Sequence, residues 1–262
     1  MLGAYSSEWV KLRRRSMLLG GLGALAFTVF ATVLTIERVV KTIPRGPGDH
    51  HFAVTAAQLS RPDGLVHGVT RSITLLGIVV LCLFAGAMAS EYSQGTLRNL
   101  LVRQPRRLRF LAGKYLALVS FTTIAVILAI AVAVGVAFAL APSKGVDTSA
   151  WTTGAGISAL WHSVLDVTLA CLGYGTLGMV LAILLRSPVL AVAVGVGYIL
   201  PGEAIINAAW SSGESWLPGQ LLSTLAQGGT AAVSYDHAGL WLLLYGTVLA
   251  TGTCVLFRRR DV

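Results

Sequence analysis

Charge is what this sequence has least of. Across 262 residues there are 20 Lys and Arg and 11 Asp and Glu, 12% in all, against 55% hydrophobic residues and a mean hydropathy of +0.75. Such a balance excludes an ordinary soluble domain, which covers its core with a charged shell. Cysteine is scarce too: Cys82, Cys171 and Cys254 all fall in apolar runs, where a thiol acts as a small hydrophobe, so neither a disulfide framework nor a cysteine metal site is expected. His50, His51, His67 and His237 lack metal-ligand spacing and read as loop surface residues. There is no G-x-x-x-x-G-K-[ST] loop, which excludes ATP binding of the P-loop kind; "LAGKY" at Leu111 to Tyr115 lacks the upstream glycine and the Ser/Thr. H-E-x-x-H, G-x-S-x-G and the dense intramembrane acids of a proton pump are missing as well, so no catalytic or metal residue is assigned.

What is there is a series of uncharged stretches near the roughly 20 residues that a span requires. They run from Met17 to Ile36, from Ser72 to Ser90, from Tyr115 to Ala141, from about Leu160 to Leu185, from Pro188 onward, and between Asp236 and Arg258. The third is the clearest. The fifth is interrupted at Pro201, Gly202 and Glu203 before it has crossed. The reading is an all-α polytopic membrane protein, a single transmembrane domain over 1–262 with six spans. An apolar stretch of about 20 residues after Arg13 to Arg15 is too long for a signal-peptide core and reads as an uncleaved first span.

The net charge of +9 would suit nucleic acid, but its distribution argues topology instead. Lys11 to Arg15, Arg98 to Lys114, Arg186 and Arg258 to Arg260 all fall on one side of a six-span chain. Glu37, Asp49, Asp63, Asp147, Glu214 and Asp236 fall on the other, with fewer bases. The basic side is cytoplasmic by the positive-inside rule, which puts both termini inside. The loop from Glu37 to His67, with Pro44, Pro47 and Pro62, reads as irregular and external.

Four polar features stand out. In residues 1–16, "YSSEWVKLRRRS" places Tyr5, Trp9 and Leu12 on one helical face and Lys11, Arg14 and Arg15 largely on the other, with Ser6 or Ser7 as N-cap; it is either a positive-inside anchor or an interfacial elbow helix that touches a cytoplasmic partner. In the inner loop 91–114, "EYSQGTLRNLLVRQPRR" sets Leu97, Leu100 and Leu101 at i, i+3 and i+4, with Ser93 as N-cap and Pro105 as stop. This short amphipathic helix lies on lipid, fits a groove on a partner, or is a solvated basic loop. Gly95 favours the groove, where a backbone must come close. Glu91 is a candidate to pair with a nearby base such as Arg98. Asp166, with His162 one turn earlier, sits near the external end of span four, either as a relay or as an interfacial residue. Finally, 201–236 combines the break at Pro201 with a second amphipathic piece, Leu217, Leu221, Leu222 and Leu225, and reads as an external re-entrant or interfacial segment.

Taken together, "SEWVKLRRR", the six spans and above all Glu91 to Arg107 resemble the membrane subunit of an ABC-2 type exporter. The topology matches throughout; only the Glu91 to Arg107 motif is specific. The resemblance implies a permease of the bacterial cytoplasmic membrane, without catalysis of its own. It would pair with a second permease copy or a homologue and bind two separate P-loop ATPase chains that carry ATP and Mg, with no cofactor in this chain and no nucleic-acid partner. Glu91, Gly95, Thr96, Leu97, Arg98, Leu100 and Leu101 would form the ATPase-coupling helix, and Tyr5, Trp9, Leu12 and Arg14 the membrane-surface helix. A small molecule, peptide or lipid-like cargo would move outward. Asp166 has no counterpart in that pattern. Two rival readings use polar groups of the spans: an ion-coupled secondary transporter through Asp166 and Glu203, and an intramembrane enzyme through His162 and Asp166.

Overall fold

A chain this apolar must satisfy its backbone without water, and a helix does so within a single segment. Residues 2–13, 15–40, 54–93, 95, 107–210 and 212–259 are described by a computed structural model. In order they form α1 (Leu2–Leu12), α2 (Arg15–Glu37), strands β1 (Val39–Val40) and β2 (Val54–Thr55), α3 (Ala56–Leu59), α4 (His67–Arg71), α5 (Ile73–Ser93), α6 (Arg107–Leu140), α7 (Gly154–Leu185), α8 (Pro188–Gly197), α9 (Glu203–Ala209), α10 (Pro218–Ala226) and α11 (Tyr235–Arg259). Among the described residues, six helices are long and apolar enough to cross a membrane: α2, α5, α6, α7, α8 continued into α9, and α11. The protein is an all-α polytopic membrane protein.

Side-chain hydroxyls of α2 turn back onto their own backbone, which keeps them satisfied in apolar surroundings. Thr28, Thr32 and Thr35 of α2 donate to the carbonyls of Ala24, Thr28 and Ala31 at 2.8, 3.0 and 2.8 Å. Span five does not stop at Pro201. The chain passes through a π-helical turn, Tyr198–Gly202, and continues to Ala209, so the expected break is a distortion inside one helix. A wider turn accommodates the missing N–H of proline at small cost.

The centre of the bundle is the seam between α5 and α7, which run parallel. Gly77 faces the Tyr174 ring, Gly178 faces the Leu81 carbonyl, and Arg186 stacks over Tyr92 at 6.0 Å. Small residues let the two backbones approach as they do in other membrane helix pairs. α6 lies alongside, with Tyr115 and Thr176 hydroxyls 2.9 Å apart and Phe84 edge-on to Tyr115 at 6.1 Å.

In the segment read as an irregular external loop, the described residues from Val54 form regular elements. β2 pairs in parallel with β1, Val39 opposite Val54. A capping box between Thr55 and Gln58 starts α3, and a 3-10 turn follows over Pro62–Val66. Leu59, Val66, Ala141 and Trp151 form a second core at this end, where Trp151 Nε1 donates to the Leu59 carbonyl at 2.9 Å. Glu37 and Lys144, 2.5 Å apart, tie the end of α2 to the turn after α6.

The seam generates a test. A Cβ on Gly178 would stand 2.3 Å from the Leu81 carbonyl oxygen, whereas a Cβ on Gly20 of α2 would meet nothing within 4 Å. Gly178→Ala should cost about 1–3 kcal/mol of overpacking, and Gly20→Ala should be neutral or stabilising by about 0.5–1 kcal/mol. Thermal unfolding in detergent reads both; equal behaviour would remove the close seam.

Candidate functional site

Glu8 and Lys11 stand one turn apart on α1, Glu91 lies in the last turn of α5, and Lys114 lies two turns into α6. Their side chains close a ring. Lys114 Nζ donates to Glu8 Oε2 at 2.9 Å and to Glu91 Oε1 at 3.0 Å, while Lys11 Nζ donates to Glu8 Oε1 and Glu91 Oε1, both at 2.7 Å. Lys114 is 1% exposed, Glu8 5% and Glu91 7%. Charges so deep persist only when paired and hydrogen-bonded, and here each carboxylate faces both ammonium groups, with zero net charge over the four. Burial pulls Lys11 down, but hydrogen bonds and charge from Glu8 and Glu91 outweigh it and hold its pKa above the usual 10.5.

The ring joins both ends of the polar inner loop. The chain leaves α5 just after Glu91 and returns through α6 to Lys114, and these two residues are in contact. The same ring fastens α1, whose Tyr5 hydroxyl donates to Ser120 of α6 at 3.1 Å and whose Trp9 ring meets Phe121 at 6.4 Å; Leu12 is buried.

Several expectations change accordingly. The Tyr5, Trp9 and Leu12 face packs on α6, and Lys11, assigned to the polar face, turns inward. α1 begins at Leu2, so Ser6 and Ser7 lie inside it rather than at its N-cap, and α2 already begins at Arg15. Ser93 ends α5, its hydroxyl donating to the Ser90 carbonyl at 3.2 Å, and is no N-cap. Gly95 has φ +65° and its N–H returns to the Tyr92 carbonyl at 3.2 Å, so the glycine serves to end α5 in the left-handed conformation. Glu91 pairs with Lys11 and Lys114. Because α6 starts at Arg107, the polar loop is shorter than 91–114, and Lys114 belongs to the helix. Thr96, Leu97, Arg98, Leu100, Leu101 and Arg14 lie outside the described residues. Glu8 was missed. Its signal is readable: it occupies the middle of the Tyr5, Trp9 and Leu12 stripe, and a carboxylate on an apolar face requires a buried cation.

At the other end of the bundle, Glu203 is 1% exposed and accepts from the Gly219 N–H at 2.7 Å, with the Tyr198 hydroxyl and Gln220 N–H also directed at it. It caps the first turn of α10, as carboxylates do at helix N-termini. The Tyr174 hydroxyl donates to the Gly219 carbonyl at 3.0 Å. Ser215 and Trp216 lie against α11: Ser215 O is 3.0 Å from His237 Nε2, and the Tyr245 hydroxyl donates to Trp216 O at 3.0 Å. Tyr245 is about 15 Å along α11 from Tyr235 at 1.5 Å per residue, so Trp216 meets α11 well beyond its first turn. Leu217, Leu221, Leu222 and Leu225 are the buried stripe of α10. Beside Pro218 a cavity of about 670 Å³, lined by residues such as Leu177, Leu181, Val194, Tyr198, Tyr245 and Val248, lies between α7, α8 and α11.

Asp166 and His162 turn to different partners. Asp166 accepts from the Tyr235 hydroxyl at 2.7 Å, whereas His162 Nδ1 is 2.7 Å from the Ser158 carbonyl on the exposed side of α7.

Residues 51–262 match the family described as protein of unknown function (DUF2705), and the chain belongs to that family. No curated protein matches it.

The ring predicts a coupling that a double-mutant cycle measures. Lys114→Met leaves two buried carboxylates facing one cation and should cost about 3–5 kcal/mol. Adding Glu91→Gln restores neutrality and should recover part of the loss, giving non-additivity of about 0.5–3 kcal/mol. Because the Lys11 pKa is raised by folding, its contribution is complete below 10.5 and disappears only as pH rises through the higher folded value. Amide exchange in α1 should therefore be protected from neutral pH to about 10 in wild type and much less so in Lys114→Met. Additive substitutions with unchanged α1 exchange would show that the ring holds nothing.

Proposed function

We propose that this DUF2705 chain is the membrane-spanning permease subunit of an ABC exporter, driven by ATP hydrolysed on a separate ATPase. The observation that carries the reading is the buried ring of Glu8, Lys11, Glu91 and Lys114 at the base of the loop that resembles a coupling helix. A load applied to that loop reaches α1, α5 and α6 together, because their charges cannot separate without stranding an ion in an apolar medium. α5 then passes the displacement to α7 along a seam with little free space. The absence of a P-loop in the sequence agrees with an ATPase on another chain.

The segment of α9 and α10, which we read as the external re-entrant segment, would move with α7 through Tyr174 and Gly219. The apolar cavity beside Pro218 favours a lipid-like cargo over a charged one. In this reading the protein sits in a bacterial cytoplasmic membrane, with the α1 end of the bundle facing the cytoplasm and a second permease alongside.

Partnership is tested on the loop itself. Burying a leucine contributes about 1.5–3 kcal/mol and a carboxylate in the same groove adds a penalty of similar size. Leu97→Asp should thus weaken copurification of the ATPase by about 100-fold or more. Glu91→Gln should keep the ATPase bound but uncouple its hydrolysis from transport, since the loop remains and its anchor loosens. An unchanged ATPase complex in Leu97→Asp would reject the coupling role of this segment.

Orientation has its own measurement. Cysteines introduced near Asp147 or Glu214 should react with an impermeant thiol reagent in intact cells, and one near Arg106 should stay unlabelled. Labelling of the Arg106 position from outside would invert the arrangement.

A further inference from the structure

A groove of about 570 Å³ runs between α2 and the α4 to α5 corner. Its walls are Phe27, Phe30, Leu34, Leu75 and Leu200, the last from the π-helical turn of span five. At one end stand Arg38 and Arg71. Arg38 directly follows the last residue of α2, and Arg71 closes α4 just before α5 begins. Both cations therefore mark the level at which two neighbouring spans leave the apolar layer, while Phe30 and Leu34 descend from that level along α2, with Leu75 opposite. Phe30, Leu34, Leu75 and Leu200 keep 55%, 37%, 46% and 43% of their surface exposed, so the groove opens sideways to its surroundings.

We infer that this groove holds one anionic phospholipid of the bilayer, its phosphate on Arg38 and Arg71 and an acyl chain along Phe30, Leu34 and Leu75. The volume lies in the range of small-molecule sites. Charge complementarity selects the headgroup: two guanidinium groups are among the lining residues, and no carboxylate is among the described ones. Guanidinium offers several donors in a planar fork that suits phosphate oxygens, so these side chains can hold a lipid phosphate in addition to protein contacts. An acyl chain suits the walls, which are hydrocarbon and too exposed for a closed core. The larger cavity beside Pro218 has no cation in its lining and makes no comparable selection. The inference is independent of the transport reading.

The test uses the full chain purified in a mild detergent, titrated with dioleoyl phosphatidylglycerol, the matching phosphatidylcholine or inorganic phosphate, and read by native mass spectrometry. Wild type should retain one phosphatidylglycerol in preference to phosphatidylcholine, and inorganic phosphate should not occupy the site. Arg38→Gln with Arg71→Gln should weaken the adduct about thirtyfold, the effect of two interfacial cation contacts. Leu75→Trp, which fills the groove and leaves both charges, should weaken it as well. A charge-matched control, Arg13→Gln with Arg109→Gln at the opposite end, should leave it unchanged. Equal binding of phosphatidylcholine, equal loss in the control pair, tight binding of phosphate alone, or indifference to both groove variants would each overturn the assignment. So would a dimer that Leu75→Trp abolishes, which would give the groove to a second copy of the chain.

Discussion

Two carboxylates and two ammonium groups, three of the four buried at one end of an apolar bundle, constrain most of what surrounds them. None of the four can leave alone, because an unpaired ion in that position costs several kcal/mol. Each belongs to a segment that would otherwise be weakly specified: a short N-terminal helix, the fraying end of α5 and the start of α6. The ring converts three loose ends into one node, with Lys114 inside it and Lys11 at its rim. Its value is specificity as much as stability, since an apolar substitute of the same volume would pack without defining which ends meet. That makes the node suitable for carrying a signal from the loop it closes, as the permease reading requires.

The same rule, that polar groups in an apolar medium must find partners, shapes the opposite end. Glu203 completes the first turn of α10, Tyr174 takes up the Gly219 carbonyl, and Tyr235 serves Asp166. These contacts hold α9 and α10 against α7 and α11. Gly219 leaves room for the carboxylate: a Cβ there would lie 2.6 Å from Glu203 Oε2. Asp166 and Glu203 both carry contacts between helices. Between the two polar ends, α5 and α7 form a stiff connection, because glycines at their contact bring backbone against side chain with no slack.

The sequence by itself determined the six spans and their class, because an uncharged stretch near the length of a bilayer admits few structures other than a helix. It also determined the stripe Leu217, Leu221, Leu222 and Leu225, whose periodicity survives in α10 as a buried face. Tertiary structure decided what pattern alone leaves open. Glu91 pairs with Lys11 and Lys114, two residues distant from it in sequence that the packing of α1 and α6 against α5 brings within hydrogen-bond reach. Pro201 bends span five without ending it, because surrounding helices absorb a widened turn. Gly95 closes α5 in the left-handed conformation, which only its positive φ reveals. Periodicity reports which face of a helix is apolar; where a buried charge finds its counter-charge depends on how the helices are arranged in space, and that information is not local to any one of them.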